Sequence, residues 1–219
     1  MRFLSHTGGL AATSVLLLAA SIAVGPSWHG GPPAALAQDG SCTTETAKDK
    51  ITDAEAQTLY DCIADALLAA YQGSGVDAAA QFRDWTRAST VPFVSATHGG
   101  RYVIHYINDV GAEAYLEYEK MPAGGMPVGS FAAKESFAVN EDGAVVVGPL
   151  FLMEKVAAGG LPDTADWRYS LILPNGQIMG TTGGENADKV QFCHACHLRA
   201  PENQDALLLP KPAYRVVDN

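Results

Sequence analysis

The chain has 219 residues, is 47% hydrophobic and 17% charged, and carries a formal charge of −10. An acidic balance of that size disfavours nucleic acid and favours a basic or neutral protein partner. The four cysteines make the redox compartment the next question.

Residues 1–37 carry a single basic residue, Arg2, then an apolar stretch from Leu10 to Val24 and an A-x-A run at Ala35-Leu36-Ala37. This reads as a secretory signal peptide, with a retained anchor as the alternative. The apolar stretch is short and is quickly followed by Gly25, Pro26, Gly30, Gly31, Pro32 and Pro33, which a membrane span would not tolerate comfortably. Cleavage after Ala37 leaves residues 38–219 as a single domain with a charge of −11, and no later stretch is suited to cross a bilayer.

Thr52-Asp53-Ala54-Glu55 has the form of a capping box. Leu59, Ile63, Leu67 and Tyr71 follow at four-residue steps, so a helix is predicted from about Asp53 to Tyr71, ending at Gly73-Ser74-Gly75. A shorter helix is expected over Val76 to Trp85. After Pro92 the texture changes to β-branched and aromatic runs separated by glycine, proline and asparagine. Strands are predicted over Arg101–Ile107, Gly129–Val139, Ala144–Val156 and Trp167–Leu173. Pro174-Asn175-Gly176 turns the last of these into Gln177–Thr182 as a hairpin, and Ala112–Glu119 alone looks helical in this half. The fold class expected is α+β: an antiparallel β-rich domain behind N-terminal helices.

The chain then reaches Cys193-His194-Ala195-Cys196-His197, a C-x-x-C-H run with the spacing of a c-type haem attachment site. Two thiols at that spacing can form thioethers to one haem, and the adjacent histidine can serve as proximal iron ligand. A thioredoxin-like pair, half of a zinc site or a plain disulfide are the competing readings. No second pair at zinc spacing accompanies the motif, and it lies far from the early βαβ position of a redox pair. Haem c is therefore the expected cofactor, bound by Cys193, Cys196 and His197, with His194 as a spacer. Haem of this kind is attached outside the cytoplasm, which agrees with the leader and implies a periplasmic protein with a redox partner. Cys42 and Cys62 remain, and an oxidising compartment would join them in a disulfide closing a loop of about twenty residues, a constraint of roughly 3 kcal/mol.

Residues 198–219 contain neither Met nor His. A sixth iron ligand must come from upstream, or the site is open. Met126, Met153 and His105 are the candidates for an electron-transfer cytochrome, although scattered methionines usually pack and His105 alternates with Val103 and Ile107 as an interior residue would. Met179 is a further methionine of this kind. His98, beside Gly99-Gly100, reads as a loop residue. A four-helix cytochrome is excluded by the glycine-punctuated β-rich body.

The run Met126-Pro127-Val128-Gly129-Ser130-Phe131-Ala132-Ala133-Lys134-Glu135-Ser136-Phe137, with Phe151-Leu152-Met153-Glu154-Lys155, Asp166-Trp167-Arg168-Tyr169 and the terminal C-x-x-C-H, resembles the cytochrome P-460 family and its relatives, the cytochromes c′-beta. The likeness spans roughly residues 100–200. It implies a five-coordinate haem with an open distal side that binds small gaseous or N-oxide ligands such as nitric oxide and hydroxylamine. In the P-460 branch a lysine bonds the porphyrin rim and hydroxylamine is oxidised; here that lysine would be Lys134. The c′-beta branch lacks the bond and only binds gases. Relatives are often dimers, which leaves a homodimer open.

With a period of two, Lys134 shares a strand face with Ser130, Ala132, Ser136 and Ala138, opposite Phe131 and Phe137. Either this shallow face meets the haem with Lys134 at its edge, or it is solvated and Lys134 is an exposed lysine. Glu154 or Glu135 is a candidate distal base for protons released from hydroxylamine, with a surface or ion-paired role as the alternative. Arg168 is a candidate partner for a haem propionate.

Overall fold

The Thr52 hydroxyl accepts the Glu55 amide at 3.2 Å and starts helix α1, Asp53–Gln72, in the computed structural model, which describes residues 42–217. The leader expected over residues 1–37 lies outside the described residues. The Glu55 carboxylate also accepts from the Thr44 hydroxyl at 2.5 Å, which ties the preceding segment to the cap. Leu59, Ile63, Leu67 and Tyr71 form the buried stripe of α1 as predicted. Burying a leucine as fully as Leu67 contributes roughly 1.5–3 kcal/mol. Cys42 and Cys62 are disulfide-bonded and tie the preceding segment to this helix.

Helix α2 (Asp77–Gln81) tightens into a 3-10 turn at Phe82–Asp84, so the second predicted helix is only half α. Two short strands follow, β1 (Thr86–Arg87) and β2 (Phe93–Ser95), and then β3 spans Arg101–Ile107. Helix α3 occupies Asp109–Leu116, earlier than Ala112–Glu119, because the Asn108 side chain caps it by accepting from the Gly111 amide at 3.2 Å. Strand β4 is Phe131–Val139.

The single strand expected over 144–156 is two: β5 (Val145–Val147) and β6 (Leu150–Lys155). Gly148-Pro149 interrupts it, and proline has no amide for a ladder. The break lets Gly148 pass close to β4, where a Cβ would stand 2.4 Å from the Ser136 hydroxyl. Strands β7 (Trp167–Ile172) and β8 (Ile178–Thr181) form the predicted hairpin around Gly176, whose φ is +79°. Helix α4, Gln191–His197, carries the C-x-x-C-H run.

All strand pairs are antiparallel, in the order β1-β3-β4-β6-β7-β8, with β2 also on β3 and β5 also on β4. This is an α+β fold around an open sheet. One sheet face packs Tyr102, Ile104, Phe137, Val139 and Leu152 against α1 and α2. The other packs Ile107, Ala132, Met153, Trp167 and Tyr169 beneath α3 and the C-terminal segment. Both faces of β4 are therefore buried. No helix among the described residues is long and apolar enough to cross a membrane.

Candidate functional site

Register brings His105, Lys134, Phe151 and Leu171 directly opposite one another across β3, β4, β6 and β7, so they form one row on the second sheet face. The adjoining row is Ile107, Ala132, Met153 and Tyr169. Over these rows lies a cavity of about 300 Å³ bounded by Lys134, Phe151 and Tyr169 below and by Cys193, Cys196 and His197 of α4 above.

Helical periodicity explains the upper wall. Residues 193, 196 and 197 stand at i, i+3 and i+4, so both thiols and the imidazole share one helix face. His194 falls off that face and lines a separate groove with Leu161 and Thr182. The fully buried Val190 anchors the turn that starts the helix. Both Cys193 and Cys196 are free thiols. Burial pushes Cys193 up to about 11, the reverse of the lowered thiol that a reactive dithiol pair needs. Among the described residues no three His, Cys, Asp or Glu side chains converge on one bare ion.

His197 is 6% exposed and donates from Nδ1 to the Ala206 carbonyl at 2.8 Å. A carbonyl only accepts, so the proton is on Nδ1. Burial, with Lys134 nearby, lowers the ring to about 3, which makes it neutral and leaves the lone pair on Nε2. The acceptor is presented by strained backbone: Asp205 and Ala206 sit consecutively at φ +45° and +58°. Asp205 holds that bend, accepting from Lys155 Nζ at 2.7 Å and the Met126 amide at 2.8 Å, while its carbonyl accepts Trp167 Nε1 at 2.8 Å.

Lys134 is 7% exposed, which excludes the solvated reading. Its ammonium donates to the Leu208 carbonyl at 3.2 Å and has no carboxylate partner among the described residues. Burial lowers it to about 8, against the opposing influence of Cys196. Tyr169, 2% exposed, packs its ring 5.3 Å from that of His197, and its buried hydroxyl has no hydrogen-bond partner among the described residues. A buried hydroxyl left so is uncommon and marks a place for an absent acceptor or donor.

His98 is the residue that sequence reasoning misplaced. It sits on a 3-10 turn, Ala96–His98, but its ring turns into the cavity, 4.7 Å from Phe151 and 6.4 Å from His197 between ring centres. Its Nδ1 is engaged by the Ser95 hydroxyl at 2.7 Å and the Thr97 hydroxyl at 3.2 Å. Burial, then Lys134 and His197, holds it far below the usual imidazole range.

Other candidates fall outside. Glu154 pairs with Arg168 at 2.5 Å across the β6–β7 ladder, on the sheet face opposite Phe151 and Met153, and neither lines the cavity. The ion-paired role thus applies to Glu154, and Arg168 is spent on it; Arg101 lines the cavity, as Lys134 does, and has no carboxylate partner among the described residues. Glu135 faces the α1 side in an ion pair with Arg83 and accepts from the Tyr60 hydroxyl at 2.8 Å. His105 is interior, bonded through Nδ1 to the Tyr115 hydroxyl at 3.0 Å, and Met126 packs with Ile107 and Trp167. Met153 lines the cavity, whereas Met179 borders a separate groove beside Ser74.

No family model matches the chain, and no curated protein matches its sequence.

Proposed function

We propose that the chain is an exported c-type haem protein that binds small nitrogen ligands, of which hydroxylamine and nitric oxide are the leading examples, and that oxidises hydroxylamine with its electrons passing to a redox partner protein. Cys193 and Cys196 would hold the haem and His197 Nε2 would ligate its iron. The observation that carries this reading is the His197–Ala206 hydrogen bond on the helix face that also bears two free thiols. A ligand histidine characteristically donates its other ring nitrogen to a carbonyl, which fixes the tautomer and strengthens the ligating nitrogen. The partnerless Tyr169 hydroxyl and the apolar wall of Phe151 and Leu171 also suit a large, flat, mostly apolar group. When bound, the haem would supply the electron transfer and the coordination of the small ligand.

The remaining work belongs to the chain. Phe151 and Leu171 exclude water from the site. Lys134, lowered to about 8, holds an appreciable fraction of neutral amine near that pH and would act as base, or would bond the macrocycle in a step that removes two hydrogens and needs a two-electron oxidant such as a peroxide. Without such a bond the same cavity is that of a gas-binding protein.

Absorption spectra of the secreted protein, oxidised and reduced, with and without hydroxylamine, test this reading. Bands perturbed by hydroxylamine are expected. Haem bands indifferent to it would remove the small-ligand role, and an intact mass equal to thioether-bound haem alone, with no further bond to Lys134, would assign the chain to gas binding.

A further inference from the structure

We infer that His98 is the second axial group of this site, standing opposite His197, and that a small ligand binds by displacing it. The inference rests on the haem reading above. Spacing is the main argument. A metal–imidazole bond of about 2.0–2.1 Å sets each ring centre roughly 3.2 Å from the metal, so two trans imidazoles stand roughly 6.4 Å apart. The rings of His98 and His197 are 6.4 Å apart. A two-atom ligand between the iron and His98 would need well over an ångström more, so His98 suits direct ligation and not a hydrogen bond to a bound ligand.

Anchoring agrees. Each ring is held at Nδ1 on the protein side, His197 by the Ala206 carbonyl and His98 by the Ser95 and Thr97 hydroxyls, which leaves Nε2 of each for the cavity. The two planes meet at 73°, an angle that axial imidazoles tolerate because each plane only has to contain the bond axis. Of the sixth-ligand candidates read from the sequence, His105 and Met126 do not line the cavity; Met153 does, and the ring spacing to His197 is what selects His98.

The mounting of His98 explains how it gives way. Its turn exposes Ala96, Thr97 and Gly99 to solvent, and Gly99 and Gly100 follow at φ +74° and +68°. The turn lies outside the Ser95–Arg101 pair that joins β2 to β3, so release of the His98 ring from Ser95 and Thr97 would leave that pairing in place. Holding the position for nine-tenths of the time would weaken an incoming ligand about tenfold.

The test uses the secreted holoprotein and its H98A variant. Ferric absorption and electron paramagnetic resonance should show a low-spin, two-imidazole iron in the parent and a high-spin iron in H98A. Added imidazole should restore the low-spin spectrum of H98A, and cyanide should bind H98A about tenfold more tightly. A high-spin parent, or an H98A spectrum that stays low-spin, overturns the inference while leaving the haem intact. Absence of haem mass would instead remove the reading on which it rests.

Discussion

The imidazole of His197 donates from Nδ1 to the carbonyl oxygen of Ala206 at 2.8 Å, and that carbonyl is offered by two successive left-handed residues, Asp205 and Ala206. Non-glycine residues in that region cost about 1–3 kcal/mol each, so the surroundings must hold them there. Asp205 does so through Lys155, the Met126 amide and Trp167.

Replacing Asp205 by alanine should therefore loosen both the bend and the histidine. Lys155, 13% exposed, would lose its carboxylate. D205A is expected to lower the unfolding free energy by about 2–4 kcal/mol, read by urea denaturation of protein expressed without its leader. A loss below 0.5 kcal/mol, of the order seen at an ordinary surface site, would show that the bend is held by other means.

Lys134 yields a pH prediction. Burial lowers it from 10.5 to about 8, so below pH 8 both folded and unfolded chains hold its proton. Between about pH 8 and 10.5 the unfolded chain still binds that proton and the folded chain does not, so this residue's contribution to stability rises with pH across that window. The burden at neutral pH is about 3 kcal/mol. K134M should be more stable than the parent at pH 7, with the gap closing toward pH 10. A gap independent of pH would place the lysine charge in water.

On the other side of β4, Arg83 and Glu135 form a buried ion pair with Tyr60 donating to the carboxylate. Burial raises the Glu135 carboxyl, and Arg83 offsets part of that. R83M should destabilise by about 3–5 kcal/mol because it strands a buried carboxylate. The double variant R83M/E135Q should recover part of the loss, and a double-mutant cycle with no coupling would remove the pair from the account.

Tyr169 makes the opposite prediction. Its buried hydroxyl has no partner among the described residues, so Y169F should leave the haem-free chain unchanged or stabilise it by about 1 kcal/mol. A loss above 1 kcal/mol in calorimetry would reveal a protein partner for that hydroxyl.

Much of this arrangement is legible in the chain. The four-residue stripe of α1, the ranges of β3, β4 and β7, the Pro174–Gly176 hairpin and the Cys42–Cys62 bridge follow from local periodicity, turn chemistry and cysteine pairing. The helix that puts Cys193, Cys196 and His197 on one face lies outside that reading, which finds Ala112–Glu119 alone helical in the C-terminal half. The rest depends on long-range geometry. Period two puts Lys134 on a face of small residues, but only the covering C-terminal segment buries that face. His98 reads as a loop residue, and it does sit on a short turn; that its ring enters the cavity depends on contacts with Phe151 and His197 that lie far away in the chain. The Ala206 carbonyl is invisible in a pattern of side chains, and Glu154 and Arg168 become partners only through the β6–β7 register.

The central claim is that Cys193, Cys196 and His197 hold one haem. Intact-mass spectrometry of the mature secreted protein, beside its C193S/C196S variant, tests it most directly. One covalent haem in the parent and none in the variant is predicted; a parent without haem, carrying a Cys193–Cys196 disulfide, would contradict it.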